Sequence, residues 1–241
     1  MNTKDFQRGR RRSELSEDDL AALESAIVRV ETFPARKVVT RRGDRLRQST
    51  ILVEGFMCRY MDARDGYRQL LSYQIPGDFV DLHSYPTRYI DHDVATITES
   101  IVAFVPHERL DAIMDERPHL ARQLWFSTMA DAAMHREWIF RIGRLDAMGR
   151  LAHFLCETYC RMHAVGRGKD ETFDLPMTQQ DLGETCGLTS VHVNRVLRRL
   201  REDGLASVNR GKVEILDHAR LARLGEFEAD YLYLEDGPWK T

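Results

Sequence analysis

Between Val30 and Val105 the chain carries short apolar runs separated by turn residues, and on either side of that stretch apolar residues recur at helical spacing. Val38-Val39, Ile51 to Val53, Met57 to Tyr60, Gln69 to Tyr73, Phe79-Val80 and Ile101 to Val105 read as strands. Gly43-Asp44, Glu54-Gly55, Asp65-Gly66 and Pro76-Gly77-Asp78 punctuate them. Many short strands at spacings of about ten residues predict an antiparallel roll, barrel or sandwich. Before it, Leu15, Leu20, Leu23 and Ile27 predict a short helix with acids in its first turn, where they suit the helix dipole. Met1 to Arg12 holds Arg8, Arg10, Arg11 and Arg12 and almost nothing apolar, so a mobile basic arm is expected over 1–13.

After the strands, helical spacing runs from Glu108 to about Arg144 with a break near Pro118. In its second part Leu120, Leu124, Trp125, Met129, Met134, Trp138, Ile139 and Phe140 cover most of the circumference. A helix apolar on more than one side has more than one surface to bury. With a single β domain to pack on, burial against a second chain is the expectation, and burial inside a monomer the alternative. Asp146 starts a further helix to about Met162, and Gly166 to Lys169 reads as a loop.

Thr178-Gln179-Gln180-Asp181 has the form of a capping box and opens a short helix that ends at Cys186-Gly187. Thr189 is placed to cap a second helix reaching about Glu202, with Val193, Val196, Leu197 and Leu200 on one face. Ser190, Val191, Asn194, Arg195 and Arg198 fall on the other, and no acid interrupts Ser190 to Arg201. Leu205 to Leu216 then reads as a hairpin with a basic tip at Arg210 and Lys212. A helix-turn-helix followed by such a hairpin is a winged helix, a DNA-reading arrangement in which the wing touches phosphate.

These residues resemble the Crp/Fnr superfamily of bacterial transcription regulators. The resemblance is carried by Leu145 to Ala152, Leu175 to Gly183 and Gly187 to Leu197 in the DNA-binding part, and by Gly43-Asp44, Ile51 to Gly55 and Leu71 to Phe79 in the β-roll. It implies an α+β chain: an N-terminal antiparallel, jelly-roll-like β-roll (14–117), a long central dimerisation helix (118–145) and a C-terminal winged helix-turn-helix (146–241). It also implies a homodimer presenting two recognition helices to successive major grooves about 34 Å apart. By that resemblance Arg195 reads a guanine and His192 contacts phosphate. Val191 replaces a common glutamate and offers only a methyl surface, suited to a thymine. Thr178, Thr189, Ser190, Asn194, Arg198, Arg210 and Lys212 complete the expected DNA contacts.

Family members with this roll often bind a cyclic nucleotide through an arginine, a small hydroxyl residue and a glutamate. Here Val80 to Pro86 and Ile90-Asp91-His92-Asp93 stand in those places, in a segment about two residues shorter. Desolvated carboxylates repel a phosphate, so cyclic AMP is not expected, although Arg88 keeps a cyclic-nucleotide-responsive regulator as the alternative. The effector pocket is expected among Asp81, His83, Arg88, Asp91 and His92. No metal and no other cofactor is expected, because the His and Asp spacings match no strong motif and such residues commonly pair with each other. Cys156 and Cys160, at i and i+4, could bind metal or sense oxidation, but read better as small buried apolar residues.

Composition changes this picture little. The chain has 241 residues, 43% apolar and 30% charged, with 35 Lys+Arg against 38 Asp+Glu and a formal charge of -3. That composition excludes collagen-like and wholly disordered chains. No apolar run approaches the ~20 residues of a bilayer span, and four cysteines make no disulfide framework, so a cytoplasmic protein is expected. A phosphate-binding glycine loop, an HExxH and a nucleophile elbow are all missing from the sequence, so an enzyme is not expected. The acids Glu226, Glu228, Asp230, Glu235 and Asp236, against Lys240, mask the arginine-rich stretch in the net charge. The expected partners are double-stranded DNA, a second copy of the chain and, for an activator, RNA polymerase, with no membrane. A ligand-binding module without DNA binding is the remaining alternative.

Overall fold

The computed structural model describes residues 1–235 and 237. Asp236 and Lys240 of the acidic tail lie outside the described residues. The chain forms two compact units, residues 1–61 with 72–132, and residues 62–71 with 133–241.

In the first unit Ser16 caps α1 (Glu17–Ser25) through a capping box with Asp19. Strands β1 (Arg29–Phe33), β2 (Val38–Thr40), β3 (Gln48–Glu54), β4 (Met57–Asp62), β5 (Arg68–Gln74), β6 (Asp93–Thr96) and β7 (Ser100–Pro106) form two sheets, with a short helix α2 (Ser84–Thr87) between β5 and β6; the last residue of β4 and the first four of β5 count with the second unit. The sheet orders are β1-β7-β3 and β2-β6-β4-β5. The β1-β7, β3-β7, β2-β6 and β4-β6 pairs are antiparallel. Central strands are buried on both faces, and Ile51, Leu52, Val102, Ala103 and Val105 are completely enclosed. That is why their sequence reads as apolar runs rather than alternation. Strands β1 and β6 escape the sequence pattern: Arg29, Glu31 and Asp93 interrupt their apolar texture. Phe79-Val80, expected as a strand, makes only an isolated bridge from Phe79 to Ile51, because the backbone turns away after Val80 donates to the Thr50 carbonyl.

The basic start is not a mobile arm. Phe6 is 1% exposed and meets Phe79 edge-on at 5.7 Å. The Glu24 carboxylate accepts from the backbone of Asn2 and Thr3, and the Arg12 guanidinium donates to the carbonyls of Thr3 and Phe6. One buried aromatic and a set of charge-assisted hydrogen bonds hold a segment whose composition is otherwise that of a tail.

Helix α3 (His107–Glu116) follows β7, and α4 (Pro118–Arg144) starts after Arg117. At 27 residues α4 is about 40 Å long. The unit boundary falls within α4 rather than at Asp146, because its later half packs in the second unit. There Trp138 donates its indole N–H to Glu157 of α5 (Ala147–Ala164).

The second unit is built round α5, which Asp146 caps by accepting from the Gly149 amide. Helices α6 (Gln179–Cys186) and α7 (Ser190–Glu202) pack on it with a sheet ordered β10-β11-β9-β8, made of β8 (Gly168–Lys169), β9 (Thr172–Asp174), β10 (Ala206–Asn209) and β11 (Lys212–Ile215). The stretch expected as a loop at Gly166 to Lys169 therefore ends in a two-residue strand, paired with β9. Helix α8 (His218–Leu224) and a 3-10 turn at Ala229–Leu232 close the unit, with Phe227, Leu232 and Leu234 buried. Much of the acidic tail is thus folded structure anchored by three apolar side chains.

Candidate nucleic-acid interface

Local chemistry sets the α6-turn-α7 geometry. The Thr178 hydroxyl accepts from the Asp181 amide while the Asp181 carboxylate takes the Thr178 N–H, which fixes the first turn of α6. At its other end Gly187 takes the left-handed conformation at φ 65°. Gly183 is a second requirement: a Cβ there would lie 2.5 Å from the Leu188 carbonyl oxygen, so any side chain would force the turn off the helix. Thr189 caps α7 by accepting from the His192 amide.

Helix α7 then divides cleanly. Val193, Val196 and Leu200 are buried, with Leu197 half-buried, whereas Thr189, Ser190, Asn194, Arg195, Arg198 and Arg201 are exposed. Val191 is 70% exposed, so its methyl groups face solvent without intramolecular cover. Among the described residues neither Arg195 nor Arg198 makes a hydrogen bond or ion pair. Both guanidinium groups project outward, beside an open groove that Arg199, Met148 and Asp146 also line. Arg199 differs: its Nε donates to Asp203 at 2.8 Å, a contact that holds its pKa above the ordinary arginine value. Asn194 donates to the Gln179 side chain at 3.3 Å. Gln179 thereby joins the surface, a residue the sequence reading missed because it lies on α6, fifteen positions from its partner. Both the hydroxyl and the backbone N–H of Thr178 are committed to Asp181, so neither is a free donor for a phosphate at that position. In the wing, Arg210 (φ 49°) and Gly211 (φ 78°) form a tight two-residue turn, with Arg210 and Lys212 exposed.

The effector-pocket residues separate into three groups. Asp81 is buried, and its carboxylate accepts from the Thr50 amide at 2.6 Å. Burial raises its pKa to about 6 despite that bond and the Arg59 charge. Asp81 is thus a fastening of the 81–84 segment to β3. Arg88 is exposed, in the left-handed conformation after α2, with its guanidinium 5.8 Å from the Tyr85 ring. His83, Asp91 and His92 come together: the imidazoles lie 5.1 Å apart, and His92 Nδ1 is 2.8 Å from Asp91 Oδ1. Burial pushes His83 down to about 3, with the Arg59 charge adding to it. Arg59 is itself held by the Val80 and Phe79 carbonyls and by Asp131 at 2.5 Å.

All four cysteines are free and buried. Burial pushes the Cys156 and Cys160 thiols well above their ordinary range and Cys186 to about 11. That suits inert core residues rather than reactive thiolates. Among the described residues no helix is long and apolar enough to cross a membrane.

Comparison with known proteins agrees with this division of labour. Residues 149–224 match the Crp-like helix-turn-helix domain, and residues 30–117 match the cyclic nucleotide-binding domain. The transcriptional activator protein FnrL of Cereibacter sphaeroides is 28% identical over 209 residues, 85% of this chain and 83% of its own length. The nitrogen fixation regulation protein FixK of Bradyrhizobium diazoefficiens is 29% identical over 174 residues, 72% of each chain. The structure of FixK2 from Bradyrhizobium japonicum superposes with a TM-score of 0.74 at 23% identity, covering 81% of this chain and 96% of that one. With its antiparallel β-roll, long helix and winged helix-turn-helix, the chain belongs to the Crp/Fnr superfamily of DNA-binding transcription regulators.

Proposed function

We propose that the protein acts in the cytoplasm as a homodimer that binds an inverted-repeat operator, with α7 in the major groove and Arg195 reading a guanine. The observation that carries this reading is the α7 face itself, with exposed and unengaged Arg195 and Arg198 opposite an apolar face on which Val193, Val196 and Leu200 are buried. Arginine forms a bidentate contact to guanine O6 and N7 worth about 1–3 kcal/mol of discrimination. Exposed Val191 supplies an apolar contact for a thymine methyl. Arg210, Lys212, His192 and the N-termini of α6 and α7 supply phosphate contacts, which position the helix without reading sequence. Asn194 and Ser190 are the further base-edge candidates.

The dimer reading rests on α4, where Trp125 is 66% and Ile139 73% exposed, with Met129 and Phe140 also uncovered. Large apolar groups aligned along a helix of this length match a helix-to-helix interface. Control is proposed to come from a signal other than cyclic AMP, because Asp91 and His92 stand in the phosphate-cradle segment while Arg88 lies against Tyr85. Where the protein activates, RNA polymerase is the further partner.

Selection of bound sequences from a random DNA pool, followed by salt-titrated binding, tests the reading. One palindrome with a guanine at a fixed position and steep salt dependence are expected. Arg195→Ala should weaken operator binding by about 1–3 kcal/mol and relax preference at that position. Equal affinity and selectivity in the variant would remove Arg195 from the reading.

A further inference from the structure

The spacing of His83, Asp91 and His92 along the chain carries no metal signature, yet the fold gathers one donor atom from each of the three within 4.8 Å of the others. We propose that these three side chains bind one divalent first-row transition-metal ion of the zinc class in the β-roll.

Both ligand-bearing segments are fastened. The stretch carrying His83 is tied to β3 by the Asp81 carboxylate, and the Ser84 amide donates to the Asp81 carbonyl at 2.8 Å. The stretch carrying Asp91 and His92 is tied to residues 43–46. The Ile90 carbonyl accepts from Gly43 at 2.8 Å and the Arg88 carbonyl from Leu46 at 3.1 Å, while the Ile90 amide donates to Asp44 at 3.2 Å. The donors are therefore held on two pinned strips of backbone, not on free loops, as an organised ligand set requires.

Their chemistry selects the ion. Two imidazoles and one carboxylate suit zinc and its first-row neighbours, whereas magnesium and calcium prefer oxygen cages. Donors about 2.0–2.1 Å from a tetrahedral ion lie about 3.3 Å from one another, so closure needs side-chain shifts of about an ångström. Three protein ligands leave a coordination position open.

Burial adds a second argument. Nε2 of His83 is enclosed and has no hydrogen-bond partner among the described residues, an arrangement that is costly unless the lone pair or N–H is used. His92 is 5% exposed, while Asp91, at 81% for its side chain, gives an ion a path from solvent. The nearby cation Arg59 opposes a metal, but its charge is offset by Asp131.

The test is equilibrium dialysis of chelator-stripped full-length protein against Zn(II) and Co(II), with Mg(II) and Ca(II) as controls, together with the visible spectrum of the Co(II) form. One Zn(II) or Co(II) per chain, a tetrahedral-type cobalt spectrum and no comparable uptake of Mg(II) or Ca(II) are expected. Asp91→Asn and His83→Ala should each weaken binding at least about tenfold. Because the Asp91 side chain is exposed, Asp91→Asn keeps the test valid even where His83→Ala impairs folding. Zinc uptake no greater than that of magnesium, or unchanged affinity in folded Asp91→Asn, would overturn the proposal. The readout involves no DNA, so its failure would leave the operator reading untouched, and the reverse holds too.

Discussion

His153 lies fully inside the second unit, with Nδ1 2.9 Å from the Gly225 carbonyl and Nε2 3.0 Å from the Tyr231 hydroxyl. Burial lowers its pKa below the ordinary value of 6.5, and the Arg141 charge acts in the same direction while Glu157 opposes it. A depressed histidine pKa means that below about pH 6.5 the unfolded chain binds more protons than the folded one. The stability contribution is therefore present above that pH and lost as the pH falls towards the folded value. His153→Asn keeps a donor for Gly225 and removes the titration. Urea denaturation between pH 7 and pH 5 should show a flatter dependence in this variant. Its stability should be lower throughout, because the ring contacts to Phe227 and Tyr231 are gone. An unchanged slope would mean that other groups carry the acid sensitivity.

At the scale of the element, the helix-turn-helix shows how far local signals reach. The capping box at Thr178 and Asp181, the left-handed Gly187 and the Thr189 cap are readable from residue type and spacing, because each acts within four positions of itself. Thr178→Ala should cost about 1 kcal/mol, with faster hydrogen exchange confined to the first turn of α6 as the measurement that locates it. Strands β1 and β6 were not legible in this way, since their pairing partners lie far along the chain. Val30 is set opposite Ala103, and Cys58 opposite Ala95. The Gly183 requirement was equally hidden, because it arises only when Leu188 returns against α6.

Over the whole molecule, α4 links the β-roll and winged-helix parts of the sequence and carries the largest exposed apolar groups. Ile139→Glu places a carboxylate in the proposed seam between two copies, and light scattering should then report a monomer. Operator affinity should fall with it, since two half-sites would no longer be engaged together. A variant that stays dimeric would move the interface elsewhere. Net charge, a whole-chain quantity, concealed the DNA-binding face: the value of -3 averages an acid-free arginine stretch against acids placed after α8.

The sequence by itself determined the longer helices, the caps of the helix-turn-helix, most strands, the winged helix-turn-helix and most residues of its outer face. These follow from periodicity and from capping chemistry over a few positions, which need no tertiary partner. Only the tertiary structure decided that Phe6 holds the basic start in place, that Asp81 is a fastening and that Gln179 supports Asn194. It alone brought His83 beside Asp91 and His92. Each of these depends on contacts between residues distant along the chain, and burial and pairing there are properties of the packed molecule rather than of any local pattern.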